Sequence, residues 1–276
     1  MLVHQTANNP KTDAIAFLFK GQATSYGQFA TIVRQTRNWL YAQGIRPGDK
    51  VGLLCKNSPD FVFCYYAVVS LQAVVVPFNP ALTMREISYM AEDSRMKCIL
   101  TQSPLTLDEA LTILNIADVL AAAAATKNPE APVDTTFDPH HECVIIYTSC
   151  TTGFPKGAVL THRNLISNAE GTIKHLNMNA RDNSFAALPM FHSFAWTVCI
   201  LAPLLSGHTV SILEAFTPKE AIATIRDNRC TIVAGEPELR RAWIDRAAFT
   251  ARPAHLDLVR SQRRLLRQKA ALLKED

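Results

Sequence analysis

Residues 147–164 read Y-T-S-C-T-T-G-F-P-K-G-A-V-L-T-H-R-N. The apolar run just before and into this stretch, Val144, Ile145, Ile146 and Tyr147, predicts a buried strand. It empties into the hydroxyl residues Thr148, Ser149, Thr151 and Thr152, interrupted only by Cys150, and then into Gly153, Pro155, Lys156 and Gly157. Such a loop offers backbone N–H groups, hydroxyl donors and one mobile cation at a strand end, the groups a polyphosphate needs. It is not the G-x-x-x-x-G-K-[ST] loop of ordinary NTPases, because Pro155 precedes Lys156 and Gly157 follows it. A plain polar turn has the same residue types, so the order of the residues, not their kind, carries the phosphate reading.

Outward from this loop the chain alternates strand and helix. Strands are expected at 14–20, 50–55, 73–76, 97–101, 144–147, 158–161, 185–188, 209–213 and 231–234. Between them lie helix starts with recognisable caps: Ser25 with Gln28, Ser58 before Pro59, Thr83 with Glu86, and Thr217 before Pro218 and Glu220. A further helix is expected over 163–178 and another after His192. This alternation predicts an α/β fold, parallel sheets flanked by helices and joined by right-handed βαβ crossovers. The Ala-rich and then polar stretch at 121–132 reads as a low-complexity connector, extending to about 140.

The 276 residues, 48% hydrophobic and 19% charged, are those of an ordinary globular protein with ample length for a core. Two uncharged stretches, 61–78 and 183–213, are broken by Ser70, Gln72 and Pro77 and by Pro189, Pro203 and Gly207. Each predicts a buried helix beside a buried strand, not a membrane span. The seven cysteines are scattered without C-x-x-C pairs and most sit in apolar runs, which implies reduced, buried thiols and a cytoplasmic setting. The first residues lack the basic start and apolar centre of a secretion signal.

The net charge of +4 resides in 236–276, where ten Lys and Arg face six Asp and Glu. The chain therefore divides into 1–235 and a basic tail, 236–276. Leu256, Leu258, Leu265, Leu266, Leu272 and Leu273 among the arginines predict an amphipathic basic helix. Helices of this kind contact nucleic acid or anionic membrane, but an extension without such contacts is the plainer reading of the composition.

The loop closely resembles the phosphate-binding motif of adenylate-forming (AMP-binding) enzymes, the acyl-CoA synthetases and their relatives. Asp49-Lys50-Val51-Gly52-Leu53-Leu54, Asn57-Ser58-Pro59 with Phe61, and Ala73 to Pro80 resemble the same family's first lobe, and Leu188-Pro189-Met190-Phe191-His192 its second core motif. The likeness covers about 11–235 and is strongest to the fatty-acyl-CoA ligase branch, of which this chain would supply the N-terminal part. The resemblance implies a two-step reaction. A carboxylate, a fatty acid or another small one, attacks the α-phosphate of ATP to give an acyl-adenylate and pyrophosphate; the CoA thiol then displaces AMP. It implies that Thr148, Ser149, Cys150, Thr151, Thr152 and Gly153 surround the β- and γ-phosphates, with Lys156 as a mobile counter-charge. It places His192 beside the acyl group and nucleotide, with Trp196, one turn on, in the same pocket wall; an interior histidine and a core tryptophan are the bland alternative.

Two departures qualify that implication. Cys150 stands where the family has glycine, and a Cβ at a positive-φ loop position costs about 1–2 kcal/mol, so weakened ATP binding is expected. After Gly235 the family's Tyr-Gly-x-Thr-Glu motif, whose glutamate coordinates Mg²⁺, its Thr-Gly-Asp motif, and the domain bearing the catalytic lysine are not found in the sequence. The expectation is a truncated ligase, impaired or inactive alone unless a second half completes it. The alternative is a non-catalytic nucleotide-binding or interaction protein, or a gene remnant.

Overall fold

The computed structural model describes residues 1–107, 111–134, 136–148, 155–234 and 257–259. Two six-stranded sheets form the frame. One has the order β12-β11-β9-β10-β1-β2, built from β1 (Ile15–Phe19), β2 (Gln22–Ser25), β9 (Asn183–Ala186), β10 (Thr209–Ile212), β11 (Ile232–Ala234) and β12 (Asp257–Val259). The other has the order β6-β5-β3-β4-β7-β8, from β3 (Lys50–Leu54), β4 (Val74–Pro77), β5 (Met96–Thr101), β6 (Thr112–Asn115), β7 (Glu142–Thr148) and β8 (Lys156–Thr161). The strands run parallel except at two margins, where β2 pairs antiparallel with β1 and β8 antiparallel with β7. The sheets are thus mixed, because both exceptions are hairpins in which the chain has no room for a crossover.

Helices α1 (Tyr26–Ala42), α2 (Pro59–Ser70) and α5 (His162–Leu176) start where their caps direct. The Ser25 hydroxyl accepts from the Gln28 amide at 3.2 Å while the Gln28 side chain accepts from the Ser25 amide at 2.8 Å. Thr83 and Glu86 do the same at the head of α3 (Met84–Asp93), and Thr217 caps α8 (Pro218–Asp227). After His192, α6 (Ser193–Ala195), a π-helical turn over Trp196–Leu201 and α7 (Ala202–Ser206) follow one another directly. Pro203, near the start of α7, has no N–H to return to the preceding turn, which suits a widened helix there.

The main core lies between the sheets. Side chains of α1, α2, α5 and the helical run after His192 pack there with Phe17, Val210 and Ile212 of one sheet and Val51, Leu53 and Val75 of the other. Strand alternation assigns Val74, Val76 and Phe78 to the opposite face, which α3 covers through Ile87 and Met90. On the far face of the other sheet, Phe185 and Val233 meet Ala221 and Ile225 of α8. No described helix is long and apolar enough to cross a membrane, and the six cysteines among the described residues are all buried and free.

One expectation needs correction. Residues 121–125 are not connector: they complete α4 (Ile116–Ala125), whose Val119 and Ala123 are buried. Within 236–276 the described residues are those of β12, paired in parallel with β11; the rest of the expected basic helical tail lies outside the described residues. β2 and β6, two short margin strands, were not expected at all.

Candidate nucleotide-phosphate site

The site is built on the β7–β8 hairpin. Cross-strand register pairs Ile145 with Val159, Tyr147 with Gly157, and Thr148 with Lys156. Thr148 and Lys156 therefore face each other at the mouth of the hairpin, and both are exposed. A hydroxyl at the C-terminal end of β7 and a primary amine at the facing start of β8 can converge on one anion. Ser149, Cys150, Thr151, Thr152 and Gly153, the rest of the expected set, lie outside the described residues. Gly157 is required by space, not by backbone angle: a Cβ there would stand 2.8 Å from Ile145 Cγ2 and 3.2 Å from Tyr147 Cζ. The Tyr147 ring thus lies across the partner strand, and its hydroxyl donates to Asp93 Oδ2 at 2.5 Å, at the end of α3.

The second motif comes to the same end of the molecule. Ile146 and Leu160 of the hairpin line a narrow apolar cavity, about 10 Å³, with Met190, Phe191, Ser193 and Trp196. That is room for about one water molecule. His192 itself is exposed, its ring 4.2 Å from that of Phe191, and partial burial lowers its pKa from the ordinary histidine value. Trp196 joins His192 through its backbone amide, which donates to the His192 carbonyl at 2.9 Å. Its side chain points into the core: it is 4% exposed, stacked on Tyr65 at 4.0 Å and close to Phe61 at 5.7 Å. Trp196 Nε1 is buried without a hydrogen-bond partner among the described residues. His192 and Trp196 thus share a helical run but face different surroundings.

One contributor escaped the sequence reading. Asn57, read only as part of a motif, donates through Nδ2 to the carbonyls of Leu188 (3.0 Å) and Leu213 (3.3 Å) and accepts the Met190 amide at Oδ1 (2.9 Å). It ties the loop after β3 to the segment that leads into His192, and so holds together the loop ends of the two sheets. A larger cleft of about 480 Å³ lies between the N-terminal 3₁₀ turn, Val3–Ala7, and α1, and none of the candidate residues lines it.

Comparison with known proteins gives the family and the fold. A family model described as AMP-binding enzyme matches residues 3–272, beyond Gly235 where the sequence resemblance was expected to stop. The chain belongs to the AMP-binding enzyme family. It is 31% identical over 237 residues to a feruloyl-CoA synthase of Amycolatopsis sp, covering 83% of this chain and 47% of that protein. Among solved structures, a fatty acyl CoA synthetase of Mycobacterium tuberculosis superposes with TM-score 0.80 at 25% identity, over 91% of this chain and 52% of that one. An o-succinylbenzoate CoA synthetase of Bacillus subtilis, in complex with AMP, superposes with TM-score 0.76 at 22% identity, over 84% of this chain and 60% of that one, and shares the fold. The chain spans about half the length of the curated relatives it matches.

Proposed function

We propose that this chain is the phosphate-binding part of an AMP-forming carboxylate–CoA ligase acting in the cytoplasm. The carboxylate oxygen attacks the α-phosphorus of ATP and pyrophosphate leaves; the thiol of CoA then attacks the acyl carbon and AMP leaves. The observation that carries this reading is the pairing of Thr148 with Lys156 across the mouth of the β7–β8 hairpin. In that role Lys156 neutralises charge on the β- and γ-phosphates while Thr148 and the loop hydroxyls donate to their oxygens, so that binding energy positions the α-phosphorus. His192, exposed beside the apolar cavity, borders the acyl group. Mg²⁺ would accompany the phosphates and offset part of their charge.

The acyl group belongs to the fatty-acid class in this reading, with aryl acids of the ferulate kind as the competing class, since relatives of both kinds are similar to the chain. The test is carboxylate-dependent exchange of labelled pyrophosphate into ATP by the purified chain, with Mg²⁺ and a panel of fatty and hydroxycinnamic acids. Exchange with either class supports the reading and names the substrate. No exchange from a folded chain overturns activity of the chain alone, and repeating the assay with the C-terminal half of a relative added tests whether a second polypeptide completes it.

A further inference from the structure

Tyr147 directly precedes Thr148, and strand alternation puts its side chain on the opposite face of β7. The ring joins the outer-face cluster of the second sheet, among Ile87, Met90 and Ile145. It also lies against Gly157 on the partner strand, where a Cβ would come within 3.2 Å of it. One ring thus bridges both strands of the hairpin immediately below the Thr148–Lys156 pair. Its hydroxyl donates to Asp93 Oδ2 at 2.5 Å, and Asp93 is the last residue of α3. Burial first, and then Asp93, raises the Tyr147 pKa above its ordinary value, so the group stays a neutral donor.

Among the described residues β8 is the last strand of its sheet and pairs with β7 alone, and residues 156–159 are all exposed. An edge strand with one neighbour opens more easily than a central one. A charge-assisted hydrogen bond from the hairpin to the end of a packed helix opposes that opening.

We infer that Asp93 and Tyr147 are positioning residues: their contact fixes the mouth of the hairpin against α3 and thereby sets the affinity of the Thr148–Lys156 site for the nucleotide's phosphates. Neither residue touches the ligand. The inference rests on the nucleotide-phosphate reading for its consequence, but its structural core stands apart from that reading.

The experiment compares the whole chain with Tyr147→Phe, Asp93→Ala and Asp93→Asn. Hydrogen exchange is the first readout. Tyr147→Phe and Asp93→Ala should speed exchange of the amides of 145–148 and 156–159 about tenfold, the size expected for a lost hydrogen bond to a charged group. Amides of β3 and β4 should be unchanged. Asp93→Asn keeps an acceptor oxygen and should recover most of the protection. Pyrophosphate exchange is the second readout: KM for pyrophosphate should rise severalfold in the first two variants with kcat within twofold. Unchanged hydrogen exchange in Tyr147→Phe overturns the inference. So does faster exchange of the hairpin accompanied by an unaltered KM. If the parent chain shows no pyrophosphate exchange, activity of the chain alone fails on that ground, and hydrogen exchange still decides whether the clamp exists.

Discussion

Helix α2 and strand β8 both carry apolar sequence, and the fold treats them in opposite ways. In α2 the run from Phe61 to Val69 is buried throughout, with Val62, Cys64, Tyr66 and Ala67 at 0% exposure. In β8, Ala158 is exposed and Val159 is 48% exposed. The difference is position: α2 lies between two sheets, whereas β8 closes the edge of one and, among the described residues, pairs with β7 alone. Residues between the sheets therefore hold the fold, and residues at the edge are free to meet a ligand. If the edge binds the phosphates, stability and chemistry reside in separable parts of the molecule, and each can be perturbed without the other.

The largest expected effect comes from the slab between the sheets. Trp196→Ala removes a ring stacked on Tyr65 and adjacent to Phe61, and should cost about 3–5 kcal/mol. Val159→Ser on β8 should change stability by about 0.5 kcal/mol or less. Urea denaturation of both variants measures the contrast. A Trp196→Ala chain as stable as its parent would break it, and would leave Trp196 only its place in the wall of the apolar cavity.

Acid should strain the same slab. His162, fully buried, accepts the Val3 amide at Nδ1 (3.1 Å), and burial pulls its pKa down to about 3. His208 bridges the Ser184 and Ser206 hydroxyls at 2.8 and 2.9 Å, and burial lowers its pKa to about 4. The unfolded chain binds these protons near pH 6.5, so between 6.5 and the folded values it holds more protons than the native state. Stability contributed by each neutral histidine is complete above about pH 6.5 and is lost as the pH falls toward 4. At pH 5 the loss should be roughly 2 kcal/mol for each group. Urea melts at pH 7.5 and 5.0 measure it, and a His162→Gln, His208→Gln double variant should lack the extra loss. A parent chain equally stable at both pH values would contradict the buried-neutral assignment.

What could be read from the sequence divides along the same line. Segments whose partners are close in sequence were legible: the Ser25–Gln28 and Thr83–Glu86 caps lie three residues apart, and most strands of the central sheets begin and end within two residues of expectation. β2 and β6 were not, because four-residue margin strands such as Q-A-T-S and T-I-L-N carry no alternating pattern. α4 hid in an alanine run, where Ile116, Val119 and Ala123 mark its buried face too faintly. The juxtaposition of Thr148 and Lys156 was legible because one hairpin holds both. The bonds from Asn57 to Leu188 and from Tyr147 to Asp93 span 131 and 54 residues and depend on sheet order. The side-chain direction of Trp196 was likewise beyond reach, since its spacing from His192 reveals the turn but not the neighbour.

A smaller effect is expected within the central sheet. Gly52, in the middle of β3, has Phe78 Cε2, Met96 Sδ and Ile99 Cγ1 where a Cβ would lie, at 2.6, 2.7 and 2.9 Å. Gly52→Ala overpacks that contact and should cost about 1–3 kcal/mol, part of it relieved as the flexible Met96 moves. Thermal denaturation of Gly52→Ala beside a Gly52→Ala, Met96→Ala double variant checks this: partial recovery in the double identifies the clash, and equal loss in both would place the cause elsewhere.

The smallest change in stability should accompany the sharpest change in binding. Lys156 is exposed and forms no ion pair among the described residues. Lys156→Ala should therefore alter the urea midpoint by about 0.5 kcal/mol or less in free energy. A phosphate group that loses the Lys156 ammonium should bind about tenfold more weakly, with a gentler dependence on salt. Titration calorimetry with ATP at 50 and 200 mM salt separates the two properties. If Lys156→Ala unfolds the chain, the edge is structural after all; if it leaves both stability and ATP binding untouched, the hairpin is an ordinary turn and the phosphate assignment falls. Loss of binding from a chain as stable as its parent is the outcome required if the edge holds the chemistry and the slab holds the fold.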